Sequence, residues 1–206
     1  MRRLAPAALA LVLAAGLAGC ATLWNWGLHM PDGGHACPGT LLPTEYIRGQ
    51  ILLREQVRVR SDDADFGMLL AARKRGDALY VVGLDGFGAK VFELTQRGVE
   101  VSVDRPFGRS LPWPAVNLLR DLHRERFLAL PGAPFPDGLH RGTVAGVRIE
   151  EHWISGRLTQ RSVTPPGAEP VQLEFDADGR TTHVRNVGCG YTATLVTLEQ
   201  GAPAGS

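Results

Sequence analysis

The sequence predicts a mainly β, α+β domain: a curled antiparallel sheet with a single helix at about 114–127 over its concave side. Three observations predict it. From about residue 47 apolar and polar residues alternate with period two, the mark of half-buried strands. Asp-Gly and lone Gly positions punctuate the alternation at hairpin spacing. One stretch in the middle changes to helical periodicity.

The elements follow in order. Ile51, Leu53, Val57 and Val59 share one face of a first strand, with Arg54, Gln56, Arg58 and Arg60 on the other. A second strand at 66–74 leads through Gly76-Asp77 into a third at 79–82, and Asp85-Gly86 opens a fourth through Val91 and Phe92 to Leu94. Gly98 marks the next turn, after which Val99, Val101 and Val103 alternate with Glu100, Ser102 and Asp104. Pro114 then suits a first helical turn, and Ala115, Leu118, Leu119 and Leu122 share a side opposite Asn117, Arg120, Asp121, Arg124 and Glu125. After Pro131, Pro134 and Pro136 strands return at 144–153, 157–163, 171–175, 181–186 and 191–198, with a hairpin turn at 176–179. A long meander with one amphipathic helix buries both faces by curling, the helix lying in the hollow. An open curl leaves an apolar groove, a default ligand site; a filled core leaves none.

The N-terminus sets the compartment. Arg2 and Arg3 precede an apolar run at 4–17, and the chain continues Leu17-Ala18-Gly19-Cys20. A basic start, a short apolar run and small residues describe a secretory signal, and this ending matches the bacterial lipobox. Residues 1–19 are expected to be removed and Cys20 to carry covalent lipid, the one non-protein group expected. Ala21 after Cys20 directs the expectation to the periplasmic face of the outer membrane, the acyl chains anchoring the protein there. The lipidated tether is expected over 20–45, the β domain over 46–200 and a Gly- and Pro-rich tail over 201–206. Trp24 and Trp26 in the tether suit the headgroup level, or cover apolar surface of the domain.

Loss of residues 1–19 leaves 187 of the 206 residues, with 20 basic against 21 acidic, a formal charge of about −1. A near-neutral chain without a basic block argues against nucleic acid. With Cys20 lipidated, Cys37 and Cys189 remain, and an oxidising compartment favours a disulfide between them. Two unpaired thiols or pairing with another chain are the alternatives.

No metal or catalytic signature is present. The six histidines show no H-E-x-x-H spacing, and G-x-S-x-G is absent. Glu150-Glu151-His152 is the densest polar cluster, yet two groups without a third ligand or a nucleophile make no mechanism. Ser155 and Ser162 show no base beside them in the sequence. The expectation is no enzyme and no metal site. Phe92, Trp113, Trp153 and Tyr191 are candidates to line a hollow, or are ordinary core. Arg148 and Arg185 are candidate rim charges for an anionic headgroup, or simply solvated.

The lipobox, the hairpin GLDGFGAKVFEL at 83–94, the segment LPWPAVNLLRDL at 111–122, and Asn186 with Gly190-Tyr191 together resemble an uncharacterised family of outer-membrane lipoproteins, itself similar to the lipoprotein receptor LolB. The resemblance implies an unclosed half-barrel with helical cover, a cargo bearing acyl chains (a lipoprotein or a polyene-type lipid), and a periplasmic carrier protein as partner. It also implies a protruding apolar residue on a loop between early strands, which here falls on Leu84 or Phe87. Asp85-Gly86 is first a turn signal whose apolar neighbours fold inward; turned outward, Leu84 and Phe87 would touch lipid. Against this carrier stands an envelope interaction protein with a filled core, docking through a sheet edge or its helix.

Overall fold

The computed structural model describes residues 37–104, 111 and 114–201. Eleven strands form one antiparallel sheet: β1 (Ile51–Ser61), β2 (Asp65–Arg75), β3 (Ala78–Leu84), β4 (Lys90–Arg97), β5 (Glu100–Asp104), β6 (Gly138–Val144), β7 (Val147–Ile154), β8 (Arg157–Thr164), β9 (Val171–Phe175), β10 (Thr181–Asn186) and β11 (Tyr191–Gly201). The order across the sheet is β5-β4-β3-β2-β1-β11-β10-β9-β8-β7-β6. The sheet is unclosed, with β5 and β6 as its two edges.

That order explains the helix. The chain works outward from the centre to one edge and must resume at the opposite edge, so its link crosses the sheet. The crossing is α1 (Ala115–Leu122), continued by a π-helical turn at His123–Phe127. It lies on the side where β1, β3, β4, β7 and β9 bury Leu53, Val57, Leu79, Val81, Leu94, Ile149 and Leu173, and it adds Leu118, Leu119 and Leu122. The sheet also curls. Thr143 and Val144 at the end of edge strand β6 line the same cavity as Ile51 and Leu53 of β1, although five strands lie between them in the sheet.

Two expectations need correction. The strand expected over 144–153 corresponds to β7 alone, and β6 before it is a strand the sequence reading does not contain; the two fold back on each other at Ala145 and Gly146, whose φ angles are 51° and 78°. This is the two-residue hairpin loop whose backbone matches the strand twist; with Ala in its first position it lacks the usual Asn-Gly or Asp-Gly signal. The expected tether reaches residue 45, yet residues 37–47 form a strap packed across α1. Cys37 N–H donates to Asn117 Oδ1 at 2.9 Å, Arg124 Nη2 donates to the Pro38 carbonyl at 2.9 Å, and Leu42 N–H donates to His123 Nδ1 at 3.0 Å. Leu42 and Ile47 are buried. The Gly- and Pro-rich sequence prevents a regular element there but not docking, because side chains of α1 satisfy the strap's backbone. Cys37 is disulfide-bonded to Cys189 across 152 positions, with a Cα–Cα distance of 5.8 Å. Closing so long a loop contributes on the order of 5 kcal/mol in the loop-entropy account.

His123 pins the strap to the sheet. Its Nδ1 accepts from Leu42, so the proton sits on Nε2, which donates to Gln96 Oε1 at 2.8 Å. Gln96 Nε2 in turn donates to the carbonyls of Leu42 and Gly98, at 2.9 and 2.7 Å. Burial, helped by the charge of Arg124, pushes the imidazole pKa down to about 3. The ring therefore stays neutral in every ordinary buffer, as its one donor and one acceptor require.

Candidate functional site

The hollow is filled unevenly. Beneath α1 the sheet contributes Leu70, Leu79, Val81, Phe92 and Leu94, all at most 2% exposed. Gly83 on β3 has no room for a Cβ, because the Phe92 ring packs over its backbone. Beyond the end of α1 the filling is ionic. Glu55 on β1 continues the inward register of Leu53 and Val57, and Glu151 on β7 that of Ile149, so strand alternation itself drives both carboxylates inside. Arg161 on β8 meets Glu151 at 2.8 Å, and its Nη1 donates to the carbonyls of Arg124 and Glu125, both at 2.8 Å. It thereby caps carbonyls at the end of the helix. Arg126 Nη2 lies 2.7 Å from Glu55 Oε1 and 3.1 Å from Glu125 Oε1, and also bonds Thr197 Oγ1.

Next to this network lies a part-open cavity of about 880 Å³, within the range of small-molecule sites. One side is the strap and the start of β1, with Leu42, Ile47 and Leu53; the other is the chain after the π turn, with Phe127, and the end of β6, with Val144. Its wall is mainly apolar, and Arg126 brings the only guanidinium of the buried network to it among the described residues. An acyl chain or similar apolar group fits the chemistry of these walls.

The sequence candidates fall elsewhere. Phe92 is fully buried, packed on Gly83. Trp153 is buried, its Nε1 donating to Glu151 Oε2 at 3.2 Å and its ring edge-on to Phe135. Tyr191 is buried, its hydroxyl donating to Asp121 Oδ2 at 2.6 Å and accepting from Asn186 Nδ2 at 3.2 Å. All three are core residues that fix polar or bulky neighbours, and none lines the cavity. Leu84 is half-buried at the end of β3, whereas Phe87, at the tip of the β3–β4 hairpin, is 99% exposed. Asp85 builds that tip by accepting from the backbone N–H groups of Phe87 and Ala89, both at 2.9 Å. The outward alternative therefore describes Phe87. Trp113, Cys20, Trp24 and Trp26 lie outside the described residues.

Glu150 and His152 sit on the opposite face of β7 from Glu151, and Glu150 pairs with Arg141 at 3.1 Å. Arg148 and Arg185 are exposed. Ser162 Oγ accepts from Gln172 at 3.2 Å on the exposed face. Among the described residues no group of three or more His, Cys, Asp or Glu is arranged to hold a metal ion, and no helix is long and apolar enough to cross a membrane.

The sequence reading missed Glu55, Glu125, Arg126 and Arg161 as a unit. A signal existed for Glu55: a carboxylate at an inward-facing parity between Leu53 and Val57 is a buried charge, and a buried charge has a partner.

No family model matches the chain, and no curated protein matches it. Two solved structures are similar to it. One is a putative outer membrane lipoprotein-sorting protein domain from Vibrio parahaemolyticus, 11% identical over 77% of this chain and 87% of that chain, with a TM-score of 0.41. The other is a DUF1329 family protein from Desulfovibrio piger, 11% identical over 81% of this chain and 95% of that chain, with a TM-score of 0.35. At that distance neither bears on function, and the architecture stands on the strand order of this chain: an open antiparallel half-barrel with a helix laid across its hollow.

Proposed function

We propose that the chain is a lipoprotein anchored through Cys20 at the periplasmic face of the outer membrane, which receives an acylated cargo, a lipoprotein or a polyene-type lipid, without covalent chemistry. The cavity between the strap and the chain after the π turn carries this reading, because its mainly apolar wall, with Glu45, Arg48 and Arg126 among its polar members, has the chemistry of a site for an acyl chain beside a polar group. The signal and lipobox at 1–20 support the location. The exposed ring of Phe87 supports contact with lipid during transfer, since it presents a large apolar side chain at the hairpin tip. A periplasmic carrier is the expected donor of the cargo.

Native mass spectrometry with lipid extraction, on a soluble form beginning at Ala21, tests the reading. A stoichiometric bound lipid is the expected result. A clean apo mass that stays unchanged after incubation with phospholipid and acylated peptide would overturn it. The second reading is an envelope interaction protein, and the dense filling beneath α1 favours it. It predicts that clean apo mass together with a stable crosslinked protein partner.

A further inference from the structure

The ionic network holds more carboxyl groups than guanidinium groups. Glu55, Glu125 and Glu151 have no exposed side-chain surface, and Arg126 and Arg161 are the cations paired with them. Glu151 is complete: Oε1 accepts from Arg161 Nε at 2.8 Å and from Leu130 N–H at 3.3 Å, and Oε2 accepts from Trp153 Nε1. The excess therefore falls on Glu55 and Glu125. Each offers its Oε1 to Arg126 Nη2, and Glu125 Oε1 also accepts from Thr182 Oγ1 at 2.7 Å. The Oε2 atom of each has no partner among the described residues, although the two carboxyl groups lie within hydrogen-bonding reach of each other. Two buried carboxyl groups within that reach, each with an oxygen that no donor satisfies, lack one thing, a proton.

We propose that Glu55 and Glu125 share one proton and that this pair latches the cavity wall: protonated, it holds the turn that carries Glu125, Arg126 and Phe127 against β1; deprotonated, two buried carboxylates face each other with one guanidinium between them, and their repulsion opens that turn from the sheet. The proposal rests on the cavity being the binding site. Arg126 is the link, since it lies on the cavity wall and immediately precedes Phe127, which lines the same wall.

The groups around the pair fix where the proton sits. Arg126 faces both carboxyl groups, Thr182 comes from β10, and Thr197 and Gln200 of β11 bond Arg126. Arg161 of β8 stands behind, with Glu151 of β7 as its partner. Arg180 covers the Thr197 carbonyl, and Arg124 is engaged by Asp121 at 2.6 Å. Burial and then the charge of Glu55 push Glu125 up to about 8. Burial also raises Glu55, with Arg126 opposing, so Glu125 keeps the proton and donates it to Glu55. Because the folded value lies above the unfolded one, the pair stabilises the closed state fully below the ordinary carboxylate range. That contribution is lost as pH rises through about 8.

The test uses the form beginning at Ala21, which keeps every described residue. In wild-type protein with carboxyl-labelled glutamate, NMR should show one glutamate titrating near 8 that vanishes in Glu125→Gln, whose amide supplies the donor permanently. Uptake of the neutral fluorophore N-phenyl-1-naphthylamine should accelerate severalfold in wild type from about pH 6 to about pH 9, either side of that titration, and be flat in Glu125→Gln. Glu55→Gln, which places an amide donor on the other side of the pair, repeats the test should the first variant not fold. Titration of every glutamate in the ordinary range, about 4 to 5, would overturn the shared proton. Uptake with no pH dependence would overturn the latch and leave the cavity reading standing. A carboxyl that titrates high in a protein that never takes up the fluorophore would leave the shared proton standing and remove both the cavity reading and the latch built on it.

Discussion

The two parts of the hollow solve the same problem in opposite ways. Beneath α1, Leu119 and Leu122 meet Leu79, Val81 and Leu94, and all five are fully buried. Beyond it, Glu55, Glu125, Glu151, Arg126 and Arg161 occupy comparable depth with ion pairs. Apolar packing is non-directional and stabilises by area and fit. Ion pairs in a poorly solvated site contribute little net stability but fix geometry, because each member is costly without its partner. The apolar part holds the helix down, and the ionic part decides where its end points. The cavity lies beside the ionic part, where the walls are held by direction and not by close packing.

Substitutions that break the comparison should differ in kind. Arg161→Ala leaves Glu151 charged and buried and uncaps the helix carbonyls; it should lower unfolding free energy by about 3 to 5 kcal/mol, read from denaturant midpoints. Leu119→Ala beneath the helix should cost about 2 to 5 kcal/mol by opening a void, with little change in the slope of unfolding on denaturant. The sharper experiment replaces both partners: Arg161→Met with Glu151→Leu should return to within about 1 kcal/mol of wild type or exceed it, since no buried charge is left alone. Were the double variant as damaged as Arg161→Ala, the carbonyl capping by Arg161 would be its principal role. Phe87→Ser, outside both parts, should shift stability by no more than about 0.5 kcal/mol, while slowing lipid acquisition from vesicles.

Much of this was legible in the sequence, and the limits have physical causes. β9 and β10 are legible residue for residue because VQLEF alternates strictly and the turn at 176–179 marks where the next strand, with its β-branched Thr181, Thr182 and Val184, begins. β6 is not legible, since its only large aliphatic residues, Leu139 and Val144, fall on opposite faces and give no period-two pattern, and Ala145-Gly146 lacks the Asn or Asp of a strong turn signal. The helix is legible from its apolar stripe, but the burial of its opposite side, with Asn117, Asp121, Arg124 and Glu125, is not, because the groups that cover it come from the strap, β10, β11 and Arg161, all distant in sequence. The cavity is assembled from the strap, β1, β6 and the chain after α1, so only long-range packing creates it. Phe92, Trp153 and Tyr191 showed their size in the sequence but not their neighbours, and size alone fits a core as well as a pocket.

The disulfide between Cys37 and Cys189 has a mechanical consequence. The strap is held by single hydrogen bonds, each of which yields readily to a pull along the chain. A load applied anywhere upstream of Cys37 reaches a branch point at that residue, where one path is the strap and the other is covalent and leads to the corner between β10 and β11. The stiffer path takes the load. Residues 38–47, and with them one wall of the cavity, are thereby shielded from tugging at the N-terminal side, and the force is delivered to a corner of the sheet beside its central strands.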